Sequence, residues 1–334
     1  MNKSLYFIAI IICVQIICDN NIFASIIIVD NNDPSTTQYT SLYEAYQSAS
    51  DGDIIYLSPS PKAYNGIAIE KKIKIYGHGF DLNKINANCK LDSILSGYIY
   101  FREGSEGSII DGVNGGFSVR INTSNITLIH NKIGSILLEP SSKKYTNIII
   151  INNKFFTIES TNLNSSPNVQ LFALNNIISG RKNYSYYVFK YIRNGTFIFS
   201  NNIIISDSID LEESSYTEAL FSNNIILAPN ISCSNCTFRY NLFDNEHKNI
   251  ESSTNIFYAP EDVFIDYENQ NYYLKENSPA KGSGENGTDM GIYGGFHPFV
   301  DSGLPNLPII YSLDSTIVTS HDLGLEVIIK AKSN

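Results

Sequence analysis

Six times between residues 126 and 243 the chain repeats one short motif, apolar-x-apolar-x-x-Asn-x-apolar, and no other property of the sequence narrows its fold so far. The copies run Ile126, Leu128, Asn131, Ile133, then Ile148, Ile150, Asn153, Phe155, then Leu171, Ala173, Asn176, Ile178. They continue with Phe197, Phe199, Asn202, Ile204, then Ala219, Phe221, Asn224, Ile226, and last Cys236, Phe238, Asn241, Phe243. Successive asparagines lie 22, 23, 26, 22 and 17 residues apart. A unit this short cannot bury its own apolar face, so copies must stack on one another as a solenoid.

Alternation at spacing two sends the apolar pair to one face of a strand, and the β-branched isoleucines suit a pleated surface. The asparagine is expected at the bend that follows, because Asn tolerates left-handed backbone better than other non-glycine residues. With layers about 4.8 Å apart, an amide oxygen of one layer can accept from the amide nitrogen of the next, giving a structural ladder of Asn131, Asn153, Asn176, Asn202, Asn224 and Asn241. Leucine-rich repeats share part of this motif, but they need a leucine three residues before the first apolar position. Here those positions hold Thr123, Tyr145, Asn168, Asn194, Tyr216 and Cys233. The intervening stretches are short and rich in Ser and Asn, which makes turns rather than helices. The pattern therefore predicts an all-β chain, a parallel β-helix over residues 25–298.

The remaining composition bounds partners and compartment. Hydrophobic residues make up 43% and charged residues 17%, a folding chain, and 33 acidic against 23 basic side chains give a net charge of −10. That deficit of cations disfavours a nucleic-acid partner. Lys3 followed by the apolar run Leu5 to Ile17 and the small residues Ala24 and Ser25 has the form of a signal peptide over residues 1–24. The run is too short to span a bilayer and no other segment is a candidate, so a secreted or cell-surface protein without a transmembrane segment is expected. Removal of the leader takes Cys13 and Cys18 and leaves Cys89, Cys233 and Cys236. The Cys233-x-x-Cys236 pair is either packed within a repeat or joined as a local disulfide.

An open solenoid needs caps. Ser41 to Glu44 has the spacing of a capping box, and Leu42, Ala45 and Ala49 then share one face of a short helix, the expected N-terminal cap. This helix, the sequence Asp51-Gly52-Asp53-Ile54-Ile55-Tyr56-Leu57, a turn with Tyr64, and Ile73-Lys74-Ile75-Tyr76-Gly77 together resemble the opening of secreted right-handed parallel β-helix proteins of the pectin-lyase-like superfamily. The segment from Tyr273 to Ala280, followed by Thr288-Asp289-Met290-Gly291-Ile292-Tyr293-Gly294, resembles their closing coil. Residues 299–334, with Pro305 and Pro308, read as a linker and short β tail that packs along the solenoid or serves surface attachment.

The resemblance implies acidic polysaccharides as the default ligand class. Its lyases use Arg or Lys with calcium on carboxylates, and its hydrolases use paired aspartates with a histidine. Gly77-His78-Gly79 matches the histidine motif superficially but closes the first coil with no Asp pair before it, so His78 is expected to be a turn residue. Asp207, Asp210, Glu212 and Glu213 form the densest acidic stretch, and Asp207 and Asp210 are the candidate calcium ligands, against the plainer reading of a solvated loop. Arg181, Lys182, Tyr184, Tyr186, Lys190 and Arg193 are the candidate glycan-binding residues, since an aromatic face packs on a pyranose and a guanidinium pairs with a uronate. With Lys190 facing water, alternation places Tyr187, Phe189 and Tyr191 in the core. The expected function is an exported glycan-recognition or structural and adhesion module without an assignable catalytic set. The alternative is a polysaccharide lyase or inverting glycoside hydrolase acting on an acidic polysaccharide.

Overall fold

A computed structural model describes residues 24–35, 37–84, 91–141, 143–161, 168–180, 187–192, 194–211, 216–248, 250–251, 253–315 and 327–332. Among them the chain forms a parallel β-helix with three long faces. The longest is a ten-stranded sheet that opens with Ile26–Val29, passes through Thr127–Ile129, Tyr145–Ile151, Val169–Leu174, Asn194–Ser200 and Tyr216–Ser222, and ends at Cys236–Arg239. A second, six-stranded sheet runs from Ala68–Ile69 through Tyr98–Phe101, Ser118–Ile121, Ser135–Leu138 and Thr157–Ser160 to Phe189–Lys190. A third, also of six strands, spans Lys154–Phe155 to Ile256–Phe257. The coils between Ser135 and Ile205 visit the second, first and third sheets in turn, and the solenoid is right-handed, as parallel connections within a sheet nearly always are.

The six motif asparagines are fully buried and hydrogen-bonded from coil to coil. Asn131 Nδ2 donates to Asn153 Oδ1 at 3.0 Å, and the same bond joins Asn153 to Asn176, Asn176 to Asn202, Asn202 to Asn224 and Asn224 to Asn241 at 2.9–3.2 Å. Each backbone N–H also donates to the next Oδ1, and each Nδ2 donates back to a strand carbonyl of the preceding coil, such as Asn176 to Ile150 at 2.8 Å. Asn255 continues the column, accepting from Asn241 Nδ2 at 3.2 Å. Full pairing is what permits amides at these depths.

The left-handed bend falls one residue earlier than the sequence suggests. His130, Asn152, Asn175, Asn201, Asn223 and Tyr240 take φ between 50° and 58°, whereas the ladder residues do not. The bend turns the chain from the first sheet toward the third and swings the following asparagine into the core. Doublets such as Asn152-Asn153 thus divide the work, one residue bending and one pairing. Between sheets the interior is filled by stacked apolar columns. Phe199, Phe221 and Phe238 stack at centroid separations of 4.8 Å, the spacing of the strands beneath them, and Phe189 of the second sheet packs tilted against Phe199 across the interior.

A seven-residue helix, Leu42–Ser48, buries Leu42, Ala45 and Tyr46 against the first coil. Ser41 occupies its N-cap position with extended backbone, but its hydroxyl makes no capping bond, so the box expected with Glu44 does not form. Cys233 and Cys236 are joined by a disulfide at the last strand of the longest sheet. No helix among the described residues is long and apolar enough to cross a membrane.

From Ser278 the chain turns back and runs along the outside of the third sheet toward the N-terminal coils. The bending asparagines hold this strap by its backbone. Asn223 Oδ1 accepts from Glu285 N at 2.8 Å, Asn201 Nδ2 donates to Asp289 O at 3.2 Å, and Asn175 Nδ2 donates to Ile292 O and Gly294 O at 2.9 and 2.7 Å. Asn152 donates to His297 O at 3.0 Å and accepts from Val300 N at 2.9 Å. Beneath the strap lies a second core in which Met290, Ile292 and Phe299 cover Ile203, Ile225 and Phe80. The packing continues through Leu304, and Pro305 lies where a Cβ on Gly112 would fall. Beyond it, Ile309–Ser315 and Val327–Lys332 form an antiparallel pair with Val327, Ile328 and Ile329 exposed.

Candidate functional site

Pairing in the second sheet lines up one outward residue per coil. Ala68 pairs with Tyr100, Tyr100 with Arg120, Arg120 with Leu137, Leu137 with Glu159, and Glu159 with Lys190. Strand alternation explains why they point away from the interior, since Ile99, Phe101, Val119, Ile121, Ile136 and Ile158 on the same strands are buried in the core, although Leu137 in the middle of the row is itself covered. Two composite groups form here. The Arg120 guanidinium lies 4.6 Å from the centre of the Tyr98 ring, and its Nη1 meets Glu139 Oε1 at 2.9 Å. Arg102 lies 4.6 Å from the Tyr100 ring centre and meets Glu70 Oε1 at 2.7 Å. Glu139 is fixed further by Thr161, whose hydroxyl donates to Oε2 at 2.9 Å.

The electrostatics are those of a display surface. Tyr98 is 51% exposed, which leaves ring area for a ligand. The hydrogen bond that Arg102 donates to Glu70 raises the Arg102 pKa further, so this guanidinium stays charged and is ill suited to accept a proton. In each pair one guanidinium nitrogen meets the carboxylate, and a guanidinium carries five N–H groups, so donors remain for a ligand.

Of the glycan-binding residues expected from the sequence, the structure describes Lys190, which stands beside Glu159 at the end of the outward row. Arg181, Lys182, Tyr184, Tyr186 and Arg193 lie outside the described residues. The alternation expected around Lys190 is corrected. Phe189 is buried, but Tyr187 and Tyr191 are 40% and 47% exposed, and Val188 and Ile192 take the interior instead. The strand there is only two residues long and Tyr191 adopts φ of 56°, so the alternation breaks on both sides of it.

Asp207 and Asp210 are exposed beside the short strand Ser208–Asp210, and the Asp207 carbonyl accepts from Asn230 Nδ2 at 3.2 Å. Glu212 and Glu213 lie outside the described residues, among which no three His, Cys, Asp or Glu side chains gather as metal ligands. His78 packs in its turn with Nδ1 3.2 Å from the Tyr56 hydroxyl. A His–Asp pair does exist, His130 Nδ1 to Asp111 Oδ1 at 2.8 Å, but both side chains are less than 10% exposed and no substrate could reach them.

No family model and no curated protein sequence matches the chain. Among solved structures, a crystal structure of pectate lyase Pel9A aligns with 83% of this chain and 98% of its own, at 12% identity and a TM-score of 0.41. The fold rests on the chain's own strand pairing, which is that of a right-handed parallel β-helix.

Proposed function

We propose that this protein is an exported glycan-recognition module that binds an acidic polysaccharide along the outward face of its second sheet. The observation that carries the reading is one composite group formed twice, a tyrosine under a guanidinium that a carboxylate holds in place, at Tyr98 and Tyr100 of one strand with Glu70, Arg120 and Glu139 supplied by the coils on either side. A tyrosine face packs on the apolar side of a pyranose, and a pre-oriented guanidinium pairs with a uronate carboxylate. Together the two groups draw on four successive coils, from Glu70 to Glu139, at about 4.8 Å per coil, an extent that suits an extended polymer better than a small molecule. The N-terminal pattern supports export, and recognition rather than turnover follows from cations that are already ion-paired.

Titration with a panel of uronic-acid and neutral polymers tests this. Arg120→Ala and Tyr98→Ala are expected to weaken uronate binding about 10- to 100-fold, the worth of a charge-assisted hydrogen bond, with wild-type affinity falling as salt rises. Equal affinity for neutral and uronic-acid polymers, or variants that bind like the wild type, would refute the reading. Release of unsaturated product during incubation would make the protein a lyase instead.

A further inference from the structure

We infer that the chain carries a second, separate binding site, a cavity for an uncharged saccharide of one or two rings, enclosed between the strap and the body of the solenoid. The cavity holds about 770 Å3. Four stretches far apart in sequence build it: the turn at Asp81, the start of a third-sheet strand at Lys154, the hairpin around Gln270 and Tyr273, and the strap from Tyr293 to Ser302. Its size is within the range of small-ligand sites and suits a disaccharide.

Two features give the lining its chemistry. Tyr273 and Tyr293 lie parallel, with centroids 4.4 Å apart and planes within 5°, and both hydroxyls donate to the Asp301 carboxylate, at 2.5 Å from Tyr273 and 3.0 Å from Tyr293. Tyr273 is 50% exposed, so this pair offers aromatic area at the cavity edge while its hydroxyls are locked. On the opposite side Lys154 Nζ lies 2.5 Å from Asp81 Oδ2, with Lys132 at 3.8 Å from the same carboxylate, and the ammonium sits over the Phe80 and Phe299 rings. Asp81 itself is held at φ of 51°, a conformation non-glycine residues seldom adopt without a local reason.

The ligand class follows from charge. Asp81 is compensated by two lysines, and Asp301 is satisfied by two phenol donors. Two ammonium groups, Lys132 and Lys154, against two carboxylates, Asp81 and Asp301, leave the region without net charge, and the lining offers acceptors, an ammonium and side-chain amides. An anion would meet two carboxylates and a cation would meet Lys154, whereas the hydroxyls of a neutral sugar both donate and accept, and its C–H face can lie on tyrosine. The site shares no residue with the outward face of the second sheet, so the two readings stand or fall separately.

Saturation-transfer NMR with cellobiose, maltose, mannobiose and chitobiose as probes tests the inference, using the full chain. At least one disaccharide should bind, and Tyr273→Ala should weaken it about tenfold, the upper worth of an aromatic contact. Should that variant fold poorly, Asp301→Asn keeps the side-chain volume while removing the carboxylate. Gln270→Gly trims the rim at a position whose φ of 58° glycine accepts readily. Both are expected to weaken binding several-fold, and Arg120→Ala to leave it unchanged. No saturation transfer from any probe at millimolar concentration would overturn the proposal, as would transfer that all three cavity variants retain at wild-type strength.

Discussion

Replacing Asn176 by alanine removes a rung from the middle of the ladder, and its cost can be worked from the contacts. Asn176 is fully buried. Its Nδ2 donates to Ile150 O at 2.8 Å and to Asn202 Oδ1 at 3.0 Å, and its Oδ1 accepts from Asn153 N at 2.8 Å and Asn153 Nδ2 at 3.2 Å. Alanine deletes all four bonds. At about 0.5–1.5 kcal/mol net for each, the loss is about 2–6 kcal/mol, and part of it is the penalty for leaving the Asn153 N–H buried without an acceptor. We expect a destabilisation of about 4 kcal/mol. Asn147 supplies the control, because its Nδ2 also bonds an asparagine 22 residues away, Asn125 at 3.1 Å, but at an exposed position. Its φ of 58° accepts glycine, and Asn147→Gly should change stability by less than about 1 kcal/mol. Urea unfolding followed by far-UV circular dichroism measures both, and amide hydrogen exchange should show the largest loss of protection in the coils on either side of residue 176. An Asn176→Ala midpoint indistinguishable from that of Asn147→Gly would refute the claim that buried amide pairing holds the coils in register.

Two further outcomes concern pH and redox state. Burial lowers the pKa of His78 and of His247 below 6.5, against the weaker opposing pull of Asp92 and Asp244. The unfolded chain therefore binds more protons than the folded one below that value, so stability should be flat above about pH 6.5 and fall as pH drops from there toward the folded values. His78→Gln should shrink this fall, and a pH series of melting temperatures in wild type and variant checks it. Reducing the Cys233–Cys236 bond should cost at most about 2 kcal/mol, because the loop it closes is very short. Matched urea titrations with and without reductant measure the difference.

The architecture was legible because a solenoid writes its period directly into the chain, and each copy announces both the strand and the turn. The Asn-Asn doublets also held the division between bending and pairing, but spacing alone cannot say which member does which. Asn255 escaped because Ser252 stands where the second apolar residue belongs. The Tyr98-x-Tyr100-x-Arg102 alternation is visible in the sequence, but Arg120 joins it only through strand register, and these coils precede the first full motif. The strap cavity has no local signal at all. Asp81, Lys154, Tyr273 and Asp301 meet because the chain reverses along the solenoid, and that reversal depends on packing between residues far apart in sequence.

The strap also sets this protein apart from solenoids that gain or lose units freely. Its backbone is gripped at Asn223, Asn201, Asn175 and Asn152 in turn, so it works as a ruler laid along the stack. Duplicating one turn between Asn152 and Asn223 would lengthen the stack by about 4.8 Å and leave the ruler short by one to two extended residues. Growth of this solenoid by simple tandem duplication is therefore closed in this stretch unless the returning segment lengthens in step.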